Sequence, residues 1–347
     1  MKRGILLLSL LVLSCMASSV LGQTRSGTSA APELLIPVGA KYEGVAGSAN
    51  AFASGVDAIF WNPAGLDRDT SGSGALFSYR QYIAGMSVSY LALGGSFGFG
   101  SLGVTFKSFN IGTIDVTTMD QPDGTGERLS PTFFVGGLTY SKKLTDRISV
   151  GATVNLINEG FGNVSAAGVG FDAGVQYQDL IGVRGLALGV SVKNIGTTMR
   201  YGGPGLWVQA QVPTSDAGLS YYKLEAASFQ LPSVIDVGLG YAKSFEGGNS
   251  LVMTATFENN NYAIDEYRGG VEFGFMHTVF IRGGYLFSQT GGAFSKSPGI
   301  ISIFENWTAG AGIDLTKLTG LAVSFNYAYV PVRYLGNNSL FDLRIAL

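Results

Sequence analysis

The sequence is poor in charge, and that sets the terms for everything else. Of its 347 residues only 13% are Asp, Glu, Lys or Arg, against 46% hydrophobic. A soluble domain usually carries about 25% charged residues, so this surface is not one built for water on all sides. Long apolar runs are missing too: past the first residues no stretch of about 18 apolar residues occurs, which argues against a helical membrane span. Cysteine is down to one, Cys15. It lies in the leader, so the remaining chain has neither disulfide nor thiol chemistry to offer. There is one histidine, His277, and a net charge of −2, which gives no electrostatic case for nucleic acid. What is abundant is glycine (51 residues), with 22 Phe and 16 Tyr. Glycine alone would fit disorder, but that many aromatics argue against it. Apolar residues spread singly along glycine-rich, aromatic-rich strands fit a transmembrane β-barrel.

The chain opens with Lys2 and Arg3, an apolar core over residues 4–14, and Val20-Leu21-Gly22. This reads as a secretory signal peptide over 1–22, cleaved after Gly22. The competing reading is a lipobox at Cys15, in which Leu13 fits badly. Either way the protein leaves the cytoplasm.

From about residue 74 the chain alternates. Ile148, Val150, Ala152, Val154 and Leu156 interleave with Ser149, Gly151, Thr153 and Asn155. The same pattern recurs at Leu186–Val192, 235–241, 251–257 and 341–347. Period two puts each set on one face of a strand. In a membrane barrel the apolar face meets lipid and the polar face lines the lumen. The lipid face is expected to carry Val150, Val154, Leu188, Val237, Phe257 and Tyr327. Fourteen strands are predicted, over 74–81, 84–93, 101–109, 131–141, 148–158, 168–177, 186–194, 232–244, 250–259, 267–275, 279–287, 307–314, 321–331 and 339–347.

Connection lengths support a barrel over a soluble sandwich. If the first strand runs outward, the periplasmic turns are 94–100, 142–147, 179–185, 245–249, 276–278 and 315–320, all short. The opposite set holds the long loops 110–130, 159–167, 195–231 and 288–306. Outer-membrane barrels sort their loops this way, whereas a sandwich has no reason to. Residues 23–73 lack clean alternation and are rich in Gly, Ala and Ser, with Pro32, Pro37 and Pro63. They read as a plug inside the barrel or a periplasmic tail, leaving 74–347 for the barrel.

Two segments carry a family resemblance. Residues 39–66, GAKYEGVAGSANAFASGVDAIFWNPAGL, place Asp57 ahead of Trp61, Asn62, Pro63, Ala64 and Gly65. Residues 307–347 contain WTAGAGIDL, NYAYVP and LGNN before a final strand, and SVKNIG at 191–196 and EYRGGVEFGF at 266–275 fit the same pattern. Together they resemble the PorV/PorQ family, within the wider FadL-like barrels. That resemblance implies an all-β closed barrel of about fourteen strands with an amino-terminal plug. It implies an outer-membrane subunit or shuttle of a type IX-like secretion and surface-attachment system, with other secretion proteins as partners. The alternative is a FadL-like transporter of hydrophobic small molecules, with a hydrophobic ligand. Leu347 departs from the aromatic residue that often ends such barrels.

Chemistry points away from an enzyme and from any cofactor. His277 has none of the partners that a metal site or triad needs and reads as a turn residue. The Gly-rich strings near 98–103 lie between strands with no helix following, so they are not a nucleotide site. Asp236, Glu258, Arg268, Glu272, Arg282, Asp342 and Arg344 fall on lumen positions in this register. Charges of both signs suggest pairs that hold an inserted plug, since a lining of one sign would favour an ion-selective pore. Trp207, Tyr221, Tyr222 and Phe229 lie in the longest outer loop. They either anchor a protein partner or fold over the barrel mouth.

Overall fold

The computed structural model describes residues 29–69, 72–211, 219–262, 264–288, 306–332 and 338–346. The leader, Cys15 and Leu347 lie outside these residues.

A single antiparallel sheet of fourteen strands closes on itself. The strands are β1 (Ser73–Gln81), β2 (Ser87–Phe97), β3 (Gly100–Asn110), β4 (Thr132–Lys143), β5 (Ile148–Phe161), β6 (Val164–Gln178), β7 (Leu186–Gly196), β8 (Val234–Ser244), β9 (Ser250–Asn260), β10 (Glu266–Phe275), β11 (Val279–Ser288), β12 (Trp307–Asp314), β13 (Val323–Val330) and β14 (Asn338–Ala346). Each strand pairs with the next in sequence, and β1 closes the cylinder on β14, from Gly74↔Ala346 to Gln81↔Ser339. The predicted strand order and count are the observed ones.

Two regions differ by more than two residues. The second strand runs on past Gly94-Gly95, because both glycines stay paired, to Gly74 and Ser73 on one side and to Gly103 and Leu102 on the other. The expected long loop 159–167 collapses to a tight hairpin at Gly162 and Asn163. There β5 and β6 pair out to Phe161↔Val164, and Gly162 takes the positive φ of 59° that the corner needs. The connection between β9 and β10 is short as well. The long connections that remain, between β3 and β4, β7 and β8, and β11 and β12, all open at one rim.

Alternation sorts the side chains as the pattern requires. Val154, Val237 and Tyr327 are exposed on the outer wall, while Ser149, Thr153 and Asn155 are buried inside. The outer wall carries Leu138, Leu156, Phe171, Ile235, Phe273, Ile281 and Phe325 uncovered. Only hydrocarbon covers so large an apolar surface without aggregation. Strand lengths of 8 to 15 residues suit a tilted span. Aromatic pairs ring the two rims: Phe97, Phe99 and Tyr140 stack at the short-turn end, and Trp307–Tyr329 and Phe257–Tyr267 meet at the other.

Residues 29–69 occupy the lumen as a chain of short turns rather than as a domain with its own sheet. The segment starts at the long-loop rim, where the Ala30 amide donates to Gln230 O at 2.9 Å. It ends at the short-turn rim, where Asp67 accepts from Ser101 Oγ at 2.5 Å and from the Lys143 amide at 2.7 Å. The high glycine content has its reason here. A Cβ on lumen-facing Gly151 would strike Pro63, on Gly174 Asn62, on Gly189 Asn50, on Gly270 Val45 and on Gly284 Ala46. The plug backbone lies directly on the wall at these points, and any side chain would hold it off.

This packing is testable. Gly189→Leu or Gly284→Leu should overfill the lumen at a cost of about 1–3 kcal/mol and displace the plug while the cylinder still closes. Gly283→Leu, whose Cβ would meet nothing within 4 Å, should change neither. Heat-modifiable gel migration reads barrel closure, and limited proteolysis within 39–66 reads plug release. Equal protease resistance in all three variants would refute the close-packing account.

Candidate functional site

The plug is built around the Trp61-Asn62-Pro63-Ala64-Gly65 motif. Asn62 caps the turn Pro63–Arg68: its Oδ1 accepts from the Ala64 amide at 3.1 Å, and Pro63 supplies a fixed φ at the first position. The Asn62 amide nitrogen lies within hydrogen-bonding reach of Asn50 Oδ1 (2.5 Å), Asn50 O (3.1 Å) and Val175 O of β6 (3.2 Å). Gly65 leaves room for the Ala53 carbonyl. Trp61 packs edge-on against Phe60 and Tyr42, with centroids 5.1 and 6.2 Å apart. Each motif residue thus has a packing or capping task in the plug core, and none is left exposed for chemistry.

Polar side chains of the wall stitch the plug along its length. Arg80 of β1 donates to the Pro37 carbonyl and pairs with Glu43 at 3.1 Å. Lys107 of β3 donates to the carbonyls of Glu33 and Ile36, at 2.7 and 2.6 Å. Gln176 of β6 donates to the carbonyls of Asn50 and Ala53, both at 3.0 Å. Thr256 of β9 meets Ser48, and Thr308 of β12 accepts from the Ala46 amide. Asp342 accepts from the Lys41 amide at 3.2 Å, and Arg344 pairs with Asp57 at 3.3 Å and Asp69 at 2.6 Å.

The seven charges singled out in the sequence therefore divide. Asp342 and Arg344 hold the plug. The other five pair along the wall, which corrects the expectation that all of them grip it. Register is the cause: Glu272 sits directly opposite Arg282, and the two close to 2.5 Å, with Arg282 also donating to Asn326. Asp236 sits opposite Glu258, a like-charge pair. It is offset by Lys193 on one side at 2.8 Å and Arg268 on the other at 2.9 Å, with Glu266 at 2.6 Å closing the row. Lys193 reaches this row from the lumen face that it shares with Ser191, beside an irregularity in the β6–β7 pairing between Phe171 and Ala173. There Asn194 adopts φ 60° and its amide donates to Asp172. Alternation from Ser191 already turns Lys193 inward; the irregularity turns Asn194 inward as well, which strict alternation conceals.

Between plug and wall lies a cavity of about 70 Å³. Leu34, Ile59, Phe60, Trp61, Tyr90 and Val135 give it an apolar side. The ammonium groups of Lys107 and Lys193 stand 4.9 and 5.5 Å from the centre of the Phe60 ring. An engineered cavity that binds benzene measures about 150 Å³, so this one admits a solute of that size only when the plug shifts.

The loop aromatics separate as well. Trp207, Tyr221 and Tyr222 stand on a hairpin, Trp207–Ala210 paired with Ser220–Lys223, and are exposed by 52%, 67% and 41%. Phe229 does not join them: it pairs with Met199 and packs on the cluster of Ala30, Ala31, Leu34 and Leu231 that closes the mouth. One loop thus combines the two expected behaviours, a lid at its base and an exposed hairpin at its tip. His277 sits in the β10–β11 turn with φ 57°. Among the described residues no group of three His, Cys, Asp or Glu could hold a metal ion.

No protein-family model matches the chain, and no curated protein matches it. Solved structures do. The toluene transporter TodX of P. putida aligns at 11% identity over 89% of this chain and 98% of its own, with a TM-score of 0.57. The CymD monoaromatic hydrocarbon channel aligns at 14% identity over 90% and 97%, with a TM-score of 0.56. The Ralstonia pickettii toluene transporter TbuX aligns at 12% over 89% and 98%, with a TM-score of 0.53. At these identities the likeness establishes the fold, a closed fourteen-stranded barrel.

The division of charges has a measurable consequence. Arg80→Gln and Arg344→Gln each strip buried carboxylates of a partner that holds the plug, a loss of roughly 3–5 kcal/mol when such a pair is broken. Both should raise resting conductance in planar bilayers. Arg268→Gln should instead lower the denaturation midpoint of the barrel and leave resting conductance low. The reverse pattern would show that the plug is held elsewhere.

Proposed function

We propose that the protein is an outer-membrane barrel through which small hydrophobic molecules pass, gated by its plug. The carrying observation is the partly apolar, aromatic-lined cavity enclosed between plug and wall beneath a closed mouth. The transporter and channel structures of the same fold support this reading, as does the lipid-facing exterior. Passage requires the first turn of the plug, Pro32–Leu35, to move, because Leu34 and Leu35 line the cavity.

A secretion-system role, drawn from the PorV/PorQ resemblance, is the second reading. One observation favours it: the exposed Trp207, Tyr221 and Tyr222 are residues of the kind that anchor protein partners. It has less support, because the solved structures of this fold reported above are channels and transporters rather than secretion subunits.

Trp61 reports directly on the cavity. In a Trp207→Phe, Trp307→Phe background it is the one remaining tryptophan, and iodobenzene entering the cavity should quench its fluorescence saturably. Phe60→Arg should abolish the saturable component. Linear, unsaturable quenching in both proteins would sink the channel reading. If a tagged barrel then retrieved surface-attachment proteins, and lost them with Trp207→Ala and Tyr221→Ala, the secretion role would stand in its place.

A further inference from the structure

Two buried carboxyl groups stand at the mouth, Glu33 on the plug and Glu159 on the wall. Glu33 sits in the plug's first turn and is 1% exposed, and no hydrogen-bond donor reaches either of its carboxyl oxygens. Glu159, near the long-loop end of β5 and 2% exposed, holds the plug two residues away, at Ala31, and its charge acts on Glu33. Glu159 is fully engaged on its own account. One oxygen accepts from the Ala31 amide at 3.0 Å and the other from the Tyr201 hydroxyl at 2.6 Å. A single group thereby ties together three elements: the plug, the wall and the base of the β7–β8 loop.

The remaining groups that face Glu33 do not neutralise it. Lys107 of β3 is near, but its ammonium donates to the carbonyls of Glu33 and Ile36 rather than to the carboxyl group. Tyr201 is a neutral phenol, held above its ordinary value by burial and by Glu159. Two buried carboxylates with this surrounding cannot both be charged without strong repulsion.

We propose that Glu33 and Glu159 form a shared-proton latch, which keeps the plug's first turn and the loop base docked in the mouth and releases them when the pair loses its proton. Release takes the pair from one negative charge to two, with the proton leaving to solvent. The docked Glu33 carboxyl is pushed up to about 7 by burial first and by Glu159 second. A raised carboxyl value means that the docked state holds its proton more tightly than the open one. Docking is therefore strongest below the ordinary carboxylate range, weakens as pH climbs towards 7, and is flat above that.

The test reads the mouth itself and needs no transported solute, so it stands or falls apart from the channel reading. Ala30 is buried at the rim and is bonded there through its backbone amide. In a Cys15→Ser background, Ala30→Cys can be labelled with a membrane-impermeant methanethiosulfonate reagent from pH 5 to 8. Thiol ionisation is removed by dividing each rate by that of the same cysteine in a Glu33→Gln barrel. The ratio should rise on the order of a hundredfold across this range, with Glu33→Gln staying slow once the common thiol dependence is removed. Heat-shifted gel migration certifies folding before labelling. Should Glu33→Gln fail to fold, Glu33→Leu serves as the second reference, since it too removes the titrating carboxyl from the plug's first turn. A ratio that stays flat with pH against a folded reference overturns the latch.

Discussion

A polar backbone cannot lie in a sealed lumen without partners, and the interior of this protein is arranged around that requirement. The segment from Ser29 to Asp69 makes no sheet or long helix that would satisfy its own peptide groups. Short turns pair part of its backbone, as from the Gly44 amide to Ala40 and from the Ala53 amide to Ala49, and other groups turn to the wall: to Lys107, Arg80, Gln176, Thr308 and Asp342, and through Asn62 to the carbonyl of Val175. The wall in turn gives up side chains where the plug backbone presses on it, at Gly151, Gly189 and Gly284. Plug and barrel complete each other's bonding, and neither surface makes sense without the other.

The same logic explains why so few charges suffice. Each buried ion needs compensation close by, and the lumen supplies it in two separate ways. From Lys193 to Glu266 a cation flanks each side of the Asp236–Glu258 pair, and the row stays within one side of the wall. At Arg80 and Arg344 they bridge wall and plug. The first group leaves the plug free to move without breaking an ion pair, whereas the second must break whenever it does.

Strand number, order and facing were legible because period two is strong at sites such as 148–156, where a one-residue slip would have turned Val154 into the lumen. The Asn-Pro-Ala-Gly turn was legible as a motif, though its work as a capped turn against Val175 required three dimensions. Arg80, Lys107 and Glu159 passed unremarked, since each is a single polar residue in an alternating strand and nothing local marks it as a plug contact. Asn194 was hidden by the pairing irregularity that breaks parity there and turns it inward beside Lys193. For Phe229 the sequence left partner anchor and mouth cover open, because burial under a folded-back loop leaves no trace in composition. The short Gly162 hairpin was missed because Gly and Ala over 160–168 look like a loop when their pairing partners are unknown.

The seam between β1 and β14 joins the two strands most distant in sequence, so its closure carries the largest entropic cost in the barrel. Both edges of that seam hold the same stretch of plug. On the β1 edge Ser78 accepts from the Gly39 amide and Arg80 takes Glu43. On the β14 edge Asp342 accepts from Lys41, Leu340 packs on Ala40, and Arg344 takes Asp57. The plug thus bridges both edges of the seam, which is held by strand-to-plug contacts as well as by strand pairing; the segment that stoppers the barrel is also a clasp across its one closing joint.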